Sequence, residues 1–343
     1  MIRPWIALIA VGAAAVGFAV EPEAADQTAM QATLTRYFRA VNTCDAAAAK
    51  RETIDGFVPQ FSNLPPALLA RIAGTSCAQG GEPMEFAVLA RVLNVINKDT
   101  AFADGYFRTV QFKPQRAGRA YIVFVRQGDK WKIGAVRLAP IAFDPPNYAV
   151  PVVTTHDTAG ADGWTVIHSD SVVDLAGASV PPVWKLEGGT FQALRGVGSS
   201  RDIRTKDTYR DFELRFEWKV SPAANSGIKY RLFYLFSDPQ RGSGATGYEY
   251  QIVDNDGDPG ARRFAVERAA SIYNQFAAEA TPRAVGEWNE GAVVVKGRRI
   301  EHWLNGKKVL EVECESSSPE GPIVFQHHGG GASLRNIRIR RLD

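Results

Sequence analysis

Cysteine and histidine are scarce in this chain of 343 residues, which contains three of the first and five of the second. No CxxC pair and no Cys/His cluster at metal-ligand spacing occurs, so the sequence offers no zinc site. Charge of one sign is also lacking, because 40 basic residues face 37 acidic ones and no basic block stands out. Nucleic acid is therefore not expected as a partner. Internal repeats and low-complexity tracts are absent as well.

The N-terminus lacks a hydrophobic run long enough to span a membrane. The apolar, alanine-rich stretch Ile6–Val20 follows Arg3 and ends at the polar Glu21, and it is shorter than the roughly 20 residues that a spanning helix needs. This pattern predicts a secretory signal peptide over residues 1–25, with an uncleaved anchor as the alternative. No cysteine lies near the cleavage region, which argues against a lipoprotein. We expect a secreted or periplasmic protein of the bacterial cell envelope.

Export would allow disulfide bonds. Cys44 and Cys77 both lie in the N-terminal half, and we predict that they pair, which would stabilise the fold by roughly 3–4 kcal/mol in the chain-entropy model. Cys314 lies in a predicted strand and is expected to be a buried thiol.

The segment from residue 27 to 143 has helices first and strands afterwards. Apolar residues at helical spacing predict a largely helical stretch over about 27–60, and Pro65–Ile72 predicts a second short helix. Four strands follow, at 86–89, 105–110, 120–125 and 131–136, and the last two are joined by a hairpin turn at 127–130. The order resembles the nuclear-transport-factor-2-like, or SnoaL-like, superfamily, which implies an α+β domain shaped as a cone with a pocket.

Some members of that superfamily are enzymes that use Asp and His in the pocket. Here no histidine precedes His156, so this chemistry is not carried over. We expect a binding, dimerising or spacer domain, and a homodimer formed through it is one candidate assembly. The prolines of Asp144–Pro146 break regular structure, which predicts a linker over 144–151 and a strand-rich second domain over 152–343.

The second domain carries a series of short motifs in a fixed order. These are WKLEGG (184–189), YRDFEL (209–214), NSGI (225–228), GYEYQIVD (247–254), SIY (271–273), GEWN (286–289), HWLNG (302–306), GPI (321–323), QHHG (326–329) and RNIRI (335–339). Their order and number resemble the 3-keto-disaccharide hydrolase family. The resemblance implies an all-β, concanavalin-like jelly-roll sandwich. Strict alternation of apolar and polar residues over 212–220 independently predicts a strand with one buried face.

Strand parity predicts where the polar groups of these motifs point, because residues two apart share a face. The predicted pairs are Glu249 with Gln251, Gln326 with His328 and, if that strand stays extended, Asn225 with Arg231. An aromatic floor would come from Tyr273 or Trp288. Asp254 closes the same motif as Glu249 and is a further candidate for substrate binding. The sequence thus predicts a sheet face suited to the hydroxyl groups of a sugar.

According to the resemblance, the substrates carry a ketone at C3 of the sugar, which acidifies the C2–H. A base removes this proton, the enolate expels the C1 substituent, and water then adds back. Either Glu249 or His328 is expected to be the base. The enolate oxygen would be bound by a set of three residues, Arg231, Asn225 and Tyr273. A non-catalytic carbohydrate-binding module and an envelope interaction protein are the alternatives.

Two features depart from the family pattern. The family often has Gln-Asp-His-Gly where this chain has His327 in place of Asp, and parity predicts that His327 points away from His328. The charged stretch 254–270 is also long. We expect no cofactor, with calcium in that loop as the one candidate, although the closing Glu of an EF-hand is missing.

Overall fold

The computed structural model describes residues 24–57, 60–61, 85–110, 117–140, 159–196, 201–238, 242–313 and 320–342. Residues 1–23 of the predicted signal peptide, the predicted helix Pro65–Ile72, the predicted linker, Cys77 and Cys314 lie outside these ranges. Export and the Cys44–Cys77 pairing therefore stay predictions. Within the described ranges, no helix is both long and apolar enough to cross a membrane.

Two helices open the N-terminal unit, α1 (Ala24–Asn42) and α2 (Ala46–Arg51). The chain turns between them at Cys44, whose φ is 60°, and the Asp45 carboxylate then accepts a hydrogen bond from the backbone N–H of Ala48 (2.8 Å). This cap starts α2. The prediction of a largely helical stretch to residue 60 is therefore wrong in its C-terminal part, because α2 ends at Arg51.

A five-stranded sheet completes the N-terminal unit, with the strand order β1-β5-β4-β3-β2. Its strands are β1 (Gln60–Phe61), β2 (Glu85–Asn97), β3 (Thr100–Val110), β4 (Ala117–Gln127) and β5 (Lys130–Pro140). Strand β1 pairs in parallel with β5, and the described strands β2 to β5 pair with one another in antiparallel fashion. Alternate residues such as Phe107, Ile122 and Phe124 are buried against Leu34 and Phe38 of α1, so the helices cover one face. The predicted hairpin at 127–130 is confirmed, with Gly128 in the left-handed region.

The C-terminal unit contains the strands β6–β18 and a short helix α3 (Pro259–Arg263). The strand bounds are β6 (Thr165–Val166), β7 (Val172–Asp174), β8 (Trp184–Glu187), β9 (Thr190–Ala193), β10 (Ile203–Thr205), β11 (Phe212–Val220), β12 (Asn225–Asp238), β13 (Gly242–Val253), β14 (Asn289–Lys296), β15 (Arg299–Leu304), β16 (Lys307–Glu313), β17 (Val324–Phe325) and β18 (Ala332–Arg341). They form two antiparallel sheets. The front sheet has the order β13-β12-β17-β10-β7, and the back sheet has the order β16-β15-β14-β11-β18-β9-β8 with β6 on β18.

The two sheets pack face to face around one apolar core, as the β-sandwich prediction requires. On the back sheet, Phe212, Leu214 and Trp218 of β11 are buried, and Ile228 and Tyr250 of the front sheet meet them in the same cluster. The period of two along β11 explains why these residues share a face. The other face of the front sheet carries polar side chains from the alternate positions, among them Lys229, Glu249 and Gln251.

A buried polar group links the two sheets inside this core. The Nε2 atom of His302 lies 2.6 Å from the Tyr230 hydroxyl, and its Nδ1 atom lies 2.7 Å from the Ala270 carbonyl oxygen. The imidazole has no exposed surface. Burial lowers the pKa of His302 to about 4, although the Ala270 carbonyl acts in the opposite direction. The ring is therefore neutral near pH 7 and ties β12 to β15.

We expect the protein to lose stability as the pH falls from about 6.5 through about 4. A histidine whose pKa is lower in the folded state contributes fully above its unfolded value and loses that contribution on acidification. The free energy of unfolding, measured with urea at pH 7.5 and pH 4, should therefore fall more for the wild type than for His302→Gln, by up to about 3 kcal/mol. The exposed His168, replaced by glutamine, is the matched control. Equal losses in the wild type and His302→Gln would contradict the role of His302.

Candidate active site

The outward face of the front sheet carries a pocket of about 250 Å³ where β12 and β13 run side by side. The register places Gly227 opposite Gln251 and Lys229 opposite Glu249. Because side chains two apart share a face, alternate residues of both strands project into one space. The lining residues are Asn225, Lys229, Ala245, Thr246, Gly247, Glu249, Gln251, Tyr273, Gln326 and His328.

Most of the residues singled out in the sequence meet in this pocket. They come from three separate segments of the chain, namely β12, β13 with the loop that follows it, and the residues after β17. The six are Asn225, Glu249, Gln251, Tyr273, Gln326 and His328. Glu249 and Gln251 line the same pocket, and so do Gln326 and His328, as strand parity predicts.

The Glu249 side chain lies directly over Gly227 of the neighbouring strand. A Cβ on residue 227 would stand 2.1 Å from Oε1 of Glu249 and 2.8 Å from its Cδ and Cγ atoms. Glu249 is only 6% exposed. Because Gly227 of the NSGI motif has no side chain, it leaves the space in which the Glu249 carboxylate lies.

Successive side-chain hydrogen bonds fix the orientation of two amides in the pocket beside Glu249. Asp258 caps α3 by accepting hydrogen bonds from two backbone amides, and its other oxygen accepts one from Nδ2 of Asn225 (3.2 Å). Oδ1 of Asn225 in turn accepts a hydrogen bond from Nε2 of Gln251 (3.4 Å). Among the described residues, Oε1 of Gln251 and Oε1 of Gln326 are buried and have no hydrogen-bond partner. A buried acceptor of this kind can accept a hydrogen bond from a ligand.

Lys229 lies in the pocket wall and was not singled out from the sequence. Its Nζ is 2.9 Å from Oδ2 of Asp202, and both side chains are close to nine-tenths buried. Oδ1 of Asp202 accepts a hydrogen bond from the backbone N–H of His327 (3.0 Å). The parity argument that selected Asn225 would also have selected Lys229, four residues further along β12.

His328 and Tyr273 complete the pocket on its outer side. His328 is exposed, while Tyr273 is half-buried and its backbone N–H donates to the Glu249 carbonyl (3.0 Å). His327 points the other way, as predicted. It is 2% exposed, its Nε2 lies 2.9 Å from the Leu194 carbonyl oxygen, and its ring meets the edge of Trp184.

Arg231 does not share the pocket face with Asn225, so that prediction is wrong. The residue has a φ of 48°, and the register of β12 against β13 shifts between Tyr230 and Tyr234. This irregularity breaks the period of two. The Arg231 guanidinium donates instead to the carbonyl of Gly297, in the turn between β14 and β15.

Trp288 and Asp254 also lie outside the pocket lining, contrary to the prediction. The Trp288 ring is stacked against Arg335 and Lys219 at the back sheet, with the Arg335 guanidinium carbon 4.0 Å from the ring centroid. The Asp254 carboxylate accepts hydrogen bonds from the backbone N–H groups of Ala223 (2.8 Å) and Asp256 (3.1 Å). Burial raises its pKa, but these hydrogen bonds outweigh burial and lower it overall. Asp254 therefore holds two turns together.

The calcium candidate in the loop after β13 gains no support from the placement of its carboxylates. Asp254 and Asp258 both bind backbone amides, and Oδ1 of Asn255 accepts from the backbone N–H of Ala269 (2.8 Å). Within the described ranges, no group of three or more His, Cys, Asp or Glu side chains could hold a metal ion.

A larger groove of about 830 Å³ crosses the outer face of the back sheet. Two of its carboxylates are already committed to arginines, since Glu213 lies 2.7 Å from Arg215 and Glu217 lies 2.7 Å from Arg335. Although burial raises the pKa of Glu217, hydrogen bonds from Asn336 and Arg335 lower it overall. Both carboxylates are held by arginines and Glu217 is a poor proton acceptor, so the front-sheet pocket is the better candidate for chemistry.

Comparisons with known proteins found several similar chains. A curated relative, a 3-keto-disaccharide hydrolase from Bacteroides thetaiotaomicron, is 27% identical, and the match covers 56% of this chain and 78% of the relative. A solved structure of a provisionally assigned glycosyl hydrolase from Parabacteroides distasonis is 25% identical with a TM-score of 0.45, covering 55% of this chain and 100% of the other. An NTF2-like protein with a cystatin-like fold from Novosphingobium aromaticivorans is 16% identical with a TM-score of 0.28, covering 34% of this chain and 83% of the other.

The family model that matches this chain is described as a 3-keto-alpha-glucoside-1,2-lyase-like domain, and it covers residues 153–340. That range holds all ten residues of the front-sheet pocket and more than half of the chain. The protein therefore belongs to the 3-keto-alpha-glucoside-1,2-lyase-like family.

Proposed function

We propose that this protein cleaves the glycosidic bond of 3-keto-glycosides in the front-sheet pocket. One observation carries the proposal: a buried carboxylate, an exposed imidazole and two amides with unpaired acceptor oxygens line a single pocket of about 250 Å³. A carboxylate and an imidazole can take and give protons. Unpaired acceptors suit a ligand that brings many hydroxyl groups.

The amides are the part of the pocket that would recognise a sugar. Asp258 and Asn225 fix the orientation of Gln251 through two successive hydrogen bonds. Gln251 is 1% exposed, so bulk water does not reach its unpaired Oε1 atom. Leaving such a group unpaired costs about 1–3 kcal/mol. A bound sugar hydroxyl removes this cost.

Glu249 is the better placed of the two candidate bases. It lies inside the pocket and is held over Gly227, whereas His328 is exposed. The Glu249 carboxylate takes the C2 proton, and the electron pair of that C–H bond forms a C2=C3 double bond while the carbonyl electrons move to O3. The enolate then re-forms the ketone, a C1=C2 double bond forms, and the bond from C1 to the leaving oxygen breaks. Water adds at C1, and C2 regains a proton.

We assign His328 to the protonation of the leaving group, because it lies on the exposed side of the pocket. The alkoxide expelled from C1 needs a proton, and an exposed imidazole can deliver one and recover it from water. The Tyr273 ring, which is half-buried in the same lining, offers an apolar face and a donor to the sugar. Asn225 is committed to Asp258 and Gln251, so it acts by orienting them.

The other expectations stay proposals of the same kind. We propose that the protein is exported, and that the N-terminal unit is a nuclear-transport-factor-2-like domain that takes no part in the chemistry. A homodimer through that unit and a calcium ion in the loop after β13 are further proposals. The Asp254 and Asp258 carboxylates of that loop bind backbone amides.

The proposal predicts that the full-length protein releases the aglycone from 3-keto-trehalose or a 3-keto-glucoside and leaves the parent sugars intact. Only the ketone makes the C2–H acidic enough for a carboxylate to remove. NMR in D₂O measures this directly, since C2 should also take up deuterium. Release from the parent sugar at the same rate would contradict enolate chemistry. Binding of the keto sugar without any release would indicate a carbohydrate-binding module instead.

A further inference from the structure

We propose that Lys229 is a catalytic residue that binds the C3 ketone oxygen and stabilises the enolate, and that Asp202 positions it. The inference deepens the proposed function and rests on it for the identity of the reaction. Arg231 was expected in this role, but it lies on another face. Lys229 is a cation among the described residues that line the front-sheet pocket.

The register of the front sheet places Lys229 where the charge of the enolate would develop. It lies directly opposite Glu249 on β13 and opposite Val324 on β17. Side chains directly opposite one another have Cβ atoms about 4.5–5.5 Å apart. A ligand whose C2–H faces Glu249 has its C3 oxygen two bonds from C2, which brings that oxygen toward Lys229.

The Asp202 pairing decides what the Lys229 amine can do. Nζ lies 2.9 Å from Oδ2 of Asp202, and the His327 backbone N–H holds the second oxygen of that carboxylate. A buried carboxylate at this distance favours the protonated amine. An ammonium has no lone pair with which to attack a ketone. It therefore acts as an electrostatic partner of O3 and does not form an imine.

Charge movement during the reaction fits this arrangement. Before proton transfer the negative charge is on Glu249, and after it the charge is on O3, while Lys229 and Asp202 keep theirs. The total charge of the pocket is unchanged, and the fixed ammonium stabilises the product of the transfer. Preorganised donors of this kind act most strongly on the transition state.

The first test is turnover of a 3-keto-glucoside by the full-length Lys229→Met variant. We expect kcat to fall by about 100- to 1000-fold, as for the loss of one oxyanion donor, and Lys229→Arg to recover part of it. Lys229→Met leaves the Asp202 carboxylate buried without its cation, which can destabilise the fold. The double variant Lys229→Met with Asp202→Asn removes this unpaired charge and should show the same fall in kcat. Retention of wild-type kcat in the folded double variant would overturn the proposal.

The positioning role of Asp202 has a separate readout. Asp202→Asn should lower kcat with little change in KM, and Asp202→Glu should recover part of the loss. If Asp202 had a merely structural role, its replacement would lower stability without lowering kcat separately from KM. Borohydride added during turnover should trap no adduct with the wild type. A trapped adduct on Lys229 would show imine chemistry and overturn the assignment.

A binding experiment separates this inference from the proposed function. The wild type should bind a 3-keto-disaccharide at least about tenfold more tightly than its parent disaccharide, as measured by calorimetry, and Lys229→Met should lose that preference. If the wild type prefers the keto sugar but never cleaves it, the proposed function fails while the role of Lys229 in recognising the ketone stands. If Lys229→Met keeps the preference, the inference fails whatever the turnover.

Discussion

Replacement of Glu249 with glutamine is expected to lower kcat for a 3-keto-glycoside by about 100- to 10,000-fold, the usual contribution of a positioned general base. Glutamine has the same shape and fills the same space over Gly227, so binding should change little. The variant loses only the ability to accept the C2 proton. Deuterium uptake at C2, followed by NMR in D₂O, should fall in parallel with aglycone release, since both steps need that proton transfer.

An exposed glutamate gives the matched control. Glu187 pairs with Lys185 at the surface, and its side chain is 71% exposed, so Glu187→Gln should have wild-type turnover. If Glu249→Gln also kept wild-type turnover, Glu249 would not be the base. His328→Gln would then be the variant expected to lose C2 exchange, because His328 is the other candidate in the pocket.

Replacement of Gly227 with alanine is expected to cost about 100-fold in kcat while leaving the fold intact. The new Cβ would stand 2.1 Å from Oε1 of Glu249, so the carboxylate must move. The atoms in the way are the end of a flexible side chain, so stability should change little. A shift of about 1 Å in a reacting group is enough for a loss of this size. Steady-state kinetics and thermal unfolding of the same samples measure the two effects.

Gly321 is the control for this substitution, because nothing lies within 4 Å of a Cβ built there. Gly321→Ala should be as active as the wild type. A double-mutant cycle sharpens the test, since Gly227→Ala should add no further loss in the Glu249→Gln background, where the base is already gone. Fully additive losses would mean that Gly227 acts on something other than the Glu249 carboxylate.

Local pattern predicted much of the candidate site. The alternation along β13 placed Glu249 and Gln251 on one face, and the same argument placed Gln326 with His328 and sent His327 inward. These predictions succeeded because a regular strand has a period of two whatever surrounds it. Strand β13 keeps that period at Glu249 and Gln251, and the residues after β17 keep it at Gln326 and His328 because they still pair with β12. The four predicted N-terminal strands each fall within a longer observed strand, β2 to β5, and the hairpin was predicted correctly, but β1 was not predicted and the helices end sooner than expected.

Long-range contacts decided the rest. The amino-acid sequence by itself determined the family and which side chains of a regular strand point the same way. Only the tertiary structure decided that Arg231, at an irregularity of β12, turns to Gly297, and that Trp288 stacks on Arg335 at the back sheet. It also brought Asp202 to Lys229 from 27 residues away. The physical reason is that a period of two is a property of one strand, whereas partners are chosen by how the sheets pack.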